Sequence, residues 1–255
     1  MLLFVARPDF YLQLTSKPAC FCSSFSLIKM KNIYGVKLLF VLAFCLCFQL
    51  QAAAQSSEEP FATNPVLLGV RTHYGAIIAH SRELRDVSQS NPWGVSLEVS
   101  RHLNNQGIWD QCNCYPRAGF SLTYFNFANP GQLGSSLSGI GYLEPFFGYK
   151  GRLKPSFRLG FGASYISKLY DEETNPENEF FSSHLSFFLL INIGLNYQLN
   201  DRISLNLSGS FNHISNGGIS KPNKGMNFPV LNAGLDYALQ PVVLPDRNQT
   251  KTLNE

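Results

Sequence analysis

The chain has 255 residues, of which 45% are hydrophobic, 13% aromatic and 15% charged, a composition that excludes a disordered tail. Its formal net charge of +3, from 20 Lys and Arg against 17 Asp and Glu, supplies no dense basic face and argues against a nucleic-acid partner. Six cysteines say little about redox compartment until the N-terminal segment is read, because Cys20, Cys22, Cys45 and Cys47 all precede residue 55.

Residues 30–54, MKNIYGVKLLFVLAFCLCFQLQAAA, carry Lys31 and Lys37 ahead of an apolar run at 38–50 and end on small residues at Ala52 and Ala54. That is the layout of a secretory signal peptide, with a hydrophobic centre too short for the roughly 20 residues of a spanning helix. Residues 1–29 precede a signal that has its own methionine, and read as a mis-assigned N-terminal extension. Cleavage after Ala54 would leave 201 residues, and the loss of five basic residues against one acidic turns +3 into −1. Only Cys112 and Cys114 then remain, as a disulfide, two free thiols or half a metal site, and no cluster of His and Cys accompanies them.

From residue 55 onward the pattern has a period of two. Trp93, Val95, Leu97 and Val99 share one face while Gly94, Ser96, Glu98 and Ser100 share the other, and similar alternation runs through 156–165, 189–197 and 203–211. Eight such segments are predicted as strands, at 66–79, 92–102, 115–127, 133–150, 154–167, 183–199, 202–214 and 228–239. Their polar face is mostly Ser, Asn and Gly with isolated Glu98 and Arg158, which suits a narrow barrel lumen better than the charged exterior of a soluble sandwich. Phe125, Phe127, Tyr142, Phe146, Phe147, Tyr149 and Tyr165 lie near strand ends and are expected to form an interfacial girdle. The fold class predicted is all-β: an eight-stranded antiparallel transmembrane β-barrel of the bacterial outer membrane over 55–239, with a periplasmic tail at 240–255.

Connections at 151–153 and 200–201 are short and are assigned to the periplasm, together with the longer 103–114, which carries the cysteines. Those at 80–91, 128–132, 168–182 and 215–227 are assigned to the outside. The acidic stretch with Asp171, Glu172, Glu173, Glu177 and Glu179 reads as a solvated extracellular loop; neither a metal nor a cofactor is expected.

Alternation puts His213 and Ser215 on the lipid-facing side at the top of strand seven, two residues apart. An imidazole there can take a hydroxyl proton. The alternative is that His213 is a polar anchor at headgroup level. The pair sits in FNHISNGGISKPNKGMNFP, residues 211–229. The string from His213 to Gly225, H-x-S-N-x-G-hydrophobic-x-x-P-N-x-G, resembles the signature of the outer-membrane lipid A 3-O-deacylases, the PagL type or acyloxyacyl hydrolases.

The resemblance implies an eight-stranded barrel behind a secretory signal. It implies an outer-membrane esterase that hydrolyses the 3-O-linked acyl chain of lipid A in lipopolysaccharide, a membrane-embedded enzyme without cofactor whose site lies near the outer leaflet. Ser215 would be the nucleophile and His213 its general base; Asn216, with the amides of Gly217 and Gly218, would bind the oxyanion. A homodimer is left open. One position departs: fourteen residues after the histidine the family has a glutamate, and this chain has Asn227. An amide oxygen still accepts the imidazole proton, but in a serine protease exchanging the acid for its amide costs roughly 10⁴-fold. Three arrangements stay open: a working Ser-His-Asn site, an acid supplied from 171–179, or a catalytically degenerate structural or adhesive barrel.

Overall fold

Small polar residues alternate with large apolar ones, so a pleated strand sends one set to each side, and a closed sheet encloses one of them. In the computed structural model, which describes residues 64–148 and 150–247, this produces eight strands: β1 (Val66–Gly75), β2 (Trp93–His102), β3 (Arg117–Asn126), β4 (Ser135–Glu144), β5 (Leu153–Ile166), β6 (Leu185–Gln198), β7 (Ile203–Ser215) and β8 (Met226–Ala238). Each pairs antiparallel with the next, and β8 pairs with β1 to close the barrel. The predicted extension at 1–29, the signal at 30–54 and the end of the tail lie outside the described residues.

The outer face carries Leu97, Val99, Leu122, Leu159, Ile193 and Leu207, all exposed, with Ile193 reaching 69%. A continuous apolar wall of this kind is matched to hydrocarbon, and strands of 10 to 14 residues meet the roughly 9–11 that a tilted strand needs to cross it. Inside lie Ser96, Ser121, Ser138, Ser156, Asn192 and Asn206, all buried.

Three buried arginines and three buried carboxylates form one lattice through the lumen. Arg71 meets Glu98 at 2.9 Å and Asp236 at 3.1 Å, and Arg117 meets Asp236 at 2.7 Å. Arg158 binds both Glu98 and Glu144 at 2.8 Å while its guanidinium lies 3.9 Å from the centroid of the Tyr142 ring. Breaking one member of such a network leaves a charge uncompensated in a low-dielectric interior, so the lumen is a filled core and no channel.

Above the polar lumen the outer connections fold inward. Ile77, Leu84 and Val87 from 76–92, Phe127 and Leu133 from 127–134, and Phe180 and Phe181 from 167–184 pack with Phe125, Phe188, Ile214, Met226 and Phe228 at the strand tops in one apolar cluster. At the other end, residues 240–247 cross the barrel mouth: Val242 N–H donates to Asp201 O, Asn104 Nδ2 to Val243 O, and the Tyr115 hydroxyl to Pro245 O.

Several details differ from the sequence reading, beginning with β1, which ends at Gly75 where the predicted strand runs to residue 79. β4 stops at Glu144, because Pro145 has no N–H to continue the ladder, so the connection to β5 spans 145–152 and is no tight turn. The connection 103–116 contains a short helix, α1 (Gln106–Cys112), whose N-cap Asn105 accepts the N–H of Ile108 at 2.9 Å, and a disulfide joins Cys112 to Cys114 just beyond it. β8 begins at Met226, two residues early. The expected girdle is also partly misassigned: Phe125, Phe127, Tyr142 and Phe146 are buried, because parity turns Phe125 and Tyr142 into the lumen and loop folding covers Phe127. Tyr74, Trp93, Tyr124 and Tyr165 are among the aromatic rings on the outer face near the upper rim, and Tyr149 lies outside the described residues.

Candidate active site

The outward parity of β7 continues to its end, so His213 and Ser215 stand on the lipid-facing wall, half-buried, with Asn212 and Ile214 turned inward. In the ladder Ser215 lies beside Phe187 of β6, and His213 sits between Leu189 of β6 and Asn227 of β8. His213 Nε2 is 3.0 Å from Ser215 Oγ, and Nδ1 is 2.7 Å from Asn227 Oδ1. Because an amide oxygen can only accept, Nδ1 carries the proton and Nε2 presents a lone pair to the Ser215 hydroxyl. Both ring nitrogens are thereby engaged, leaving none for a carboxylate from 171–179. Glu179 is paired with Lys224, Glu177 accepts from Gln132, and Asp171 accepts from Thr174 within its own turn. Asp236 belongs to the lumen lattice.

Gly225 backs the pair. It adopts φ +67°, and a Cβ built there would lie 2.9 Å from His213 Cε1 and 3.1 Å from Ser215 Cβ. Asn216 is buried and organises the loop: its Nδ2 donates to Ser182 Oγ at 3.2 Å and to Ser220 O at 3.0 Å, and its Oδ1 accepts Gly218 N–H at 2.9 Å. Its side-chain donors are therefore engaged by Ser182 of the 167–184 connection and by Ser220, and the Gly218 amide by the Asn216 Oδ1. Gly217, at φ +68°, is an exposed residue just beyond Asn216, whose own N–H donates to Asn223 Oδ1 at 3.2 Å.

Sequence reasoning missed a three-loop clamp beside the site. Lys224 Nζ meets Glu83 at 3.0 Å, pairs with Glu179, and lies 3.3 Å from Ser81 Oγ. Its backbone N–H donates to Glu179 O, and its carbonyl accepts from His80 Nε2. One step further, Ile78 N–H donates to Asn227 O at 2.9 Å. Hydrogen bonds from its own backbone, Lys224 and Ser81 hold the Glu83 carboxyl down at about 2, and those with Glu179 and Glu83 raise the Lys224 ammonium. These partners are more than 40 residues apart in the chain, and no local pattern signals them.

A family model described as lipid A 3-O-deacylase (PagL) matches residues 92–236, more than half of the chain. Comparison with curated protein sequences finds no match. Among solved structures, the chain is similar to Neisserial surface protein A (TM-score 0.48, 11% identity, 68% of this chain and 96% of that chain). It is also similar to the outer membrane enzyme PagL (TM-score 0.48, 18% identity, 65% and 97%) and to Ail of Yersinia pestis (TM-score 0.35, 13% identity, 69% and 98%). The family match and the closed barrel lead to one conclusion: the chain belongs to the lipid A 3-O-deacylase (PagL) family and is an integral β-barrel of the outer membrane.

Proposed function

We propose that this barrel is a carboxylic ester hydrolase that removes the 3-O-linked acyl chain of lipid A through a Ser215-His213-Asn227 site. The observation that carries the reading is the pair of contacts on His213, one to Ser215 and one to Asn227, on a wall that faces lipid. Ser215 Oγ attacks the ester carbonyl as Nε2 takes its proton, giving a tetrahedral intermediate; its collapse breaks the bond to the sugar oxygen, which the imidazolium protonates, and leaves an acyl-enzyme that water hydrolyses with His213 again as base. The Asn216 N–H is taken by Asn223 Oδ1, so the amide of Gly217, two residues past the nucleophile, supplies the backbone donor for the oxyanion, while Asn216 and Gly218 hold the loop that presents it. A substrate embedded in the outer leaflet reaches Ser215 sideways from the membrane, and the acyl ester lies against Phe187 and Leu189.

The competing reading is a structural or adhesive barrel without hydrolase activity, and it rests on Asn227 standing where the family has an acid. A homodimer gains no support from the fold or the family. Incubating the refolded protein with lipopolysaccharide in detergent and weighing lipid A by mass spectrometry separates the two. Loss of one hydroxyacyl mass, absent with Ser215→Ala, supports the hydrolase; an unchanged lipid A mass under all conditions removes it.

A further inference from the structure

Among the described residues the lumen buries seven charged side chains: Arg71, Arg117, Lys154 and Arg158 against Glu98, Glu144 and Asp236. All three carboxylates are committed to arginines, two of them to two arginines each. Lys154, only 7% exposed, has no carboxylate within 4.0 Å, and its Nζ donates to the neutral Gln198 Oε1 at 2.6 Å. Close by, Arg117 spends Nη1 on Asp236 and keeps a buried Nε without a hydrogen-bond partner. The lumen therefore carries one positive charge in excess, at the end of the barrel opposite Ser215.

Beside these two cations lies a cavity of about 20 Å³, walled by His102, Arg117, Phe146, Lys154, Asn196 and Gln198 and bordered at its mouth by the 200–202 turn and Val242 of the tail. At about 10–15 Å³ for one water, it has room for a monatomic ion. The one carboxylate on its lining, Asp201, is exposed at the rim beside Arg202. Excess cationic charge in a low-dielectric wall attracts a counter-ion of matching size, and the open donors are the remaining N–H groups of Lys154 and the Nε–H of Arg117.

We propose that this cavity is a binding site for a monovalent anion of halide size, held between Lys154 and Arg117, which brings the lumen to four charges of each sign. The site is independent of the hydrolase reading. Chloride NMR linewidths, titrated with the full-length protein refolded in a zwitterionic detergent, test it. The expected result is saturable broadening that bromide competes away and gluconate does not. Lys154→Met removes the excess charge, and Gln198→Glu supplies a carboxylate at the same 2.6 Å contact; both are expected to reduce the broadening to the protein-free baseline. Gln198→Glu keeps the wall filled and adds an ion pair, so it keeps the test decisive should Lys154→Met fail to fold. Absence of saturable broadening in the parent, or broadening that survives in either folded variant, overturns the proposal.

Discussion

His213 lies directly across the β7–β8 ladder from Asn227, with ring nitrogen and amide oxygen 2.7 Å apart. The amide fixes the tautomer without adding a negative charge, so in the proposed reaction it would orient the base without offsetting the imidazolium formed during attack. Asn227→Leu is expected to lower lipid A deacylation by roughly 10²–10⁴-fold, the range a positioned base contributes. Asn227→Glu, restoring the family's residue, is expected to raise kcat above the parent. Initial rates from lipid A mass spectra check both, and a Leu variant as fast as the parent would show that Asn227 has no part in the reaction.

Gly225→Ala places a methyl against the His213 ring and asks a side chain to adopt φ +67°. The backbone strain is on the order of 1 kcal/mol or more, small beside the ladder of a closed barrel, but the displaced atoms are those of the site. The expected outcome is a folded barrel, seen as a heat-dependent shift in gel mobility, whose kcat falls by at least tenfold. Wild-type turnover would mean that the pair tolerates the displacement.

The Lys224 clamp gives a pH dependence with a definite sign. The Glu83 carboxyl is depressed to about 2, so its contribution is present above its unfolded pKa and is lost as pH falls toward 2. Lys224 is raised, so its contribution is complete below its unfolded value and is lost as pH rises through the folded one. Hydrogen exchange at the amides of Lys224 and Gly225, corrected for intrinsic rates, is therefore expected to be slowest in the neutral range and to quicken toward acid. Glu83→Gln should flatten the acid arm; an unchanged acid arm in that variant would detach Glu83 from the clamp.

Glu98 accepts from Arg71, Arg158 and Tyr142 at once. Glu98→Gln preserves its volume and leaves two guanidinium groups short of a counter-charge, a loss of about 3–5 kcal/mol of stability for a broken buried pair. Denaturant unfolding in lipid vesicles measures it. Activity per folded molecule should stay at the parent level, because Glu98 lies in the lumen and the site faces lipid.

Strand number, facing and the outward placement of His213 and Ser215 were legible because a period of two is a local property of the chain. Asn227 lies outside the predicted strand 228–239 although it belongs to β8, because the outer face carries a small amide there, in contact with His213, in place of a large apolar residue. The helix Gln106–Cys112 was hidden by its length: two turns, with Trp109 alone fully buried, give too little of a 3.6-residue period to detect. The lumen lattice and the Lys224 clamp were illegible for another reason. Their partners lie tens of residues apart, as Arg71 and Asp236 do at a separation of 165, and only closure brings them together.

That same pair has a consequence for how the cylinder is sealed. Arg71 stands opposite Gly234 and Asp236 opposite Gly69, and a Cβ at either glycine would lie 2.6 Å from the charged side chain that crosses it. Two glycines thus clear a diagonal path for one ion pair across the only junction that joins the first strand to the last. A slip of one residue would turn one partner toward hydrocarbon, and a slip of two would drive a side chain into the path of the other. The junction works as a lock cut for a single key, so the chain can seal only in the alignment that also sets β8, and Asn227 with it, at the height of His213.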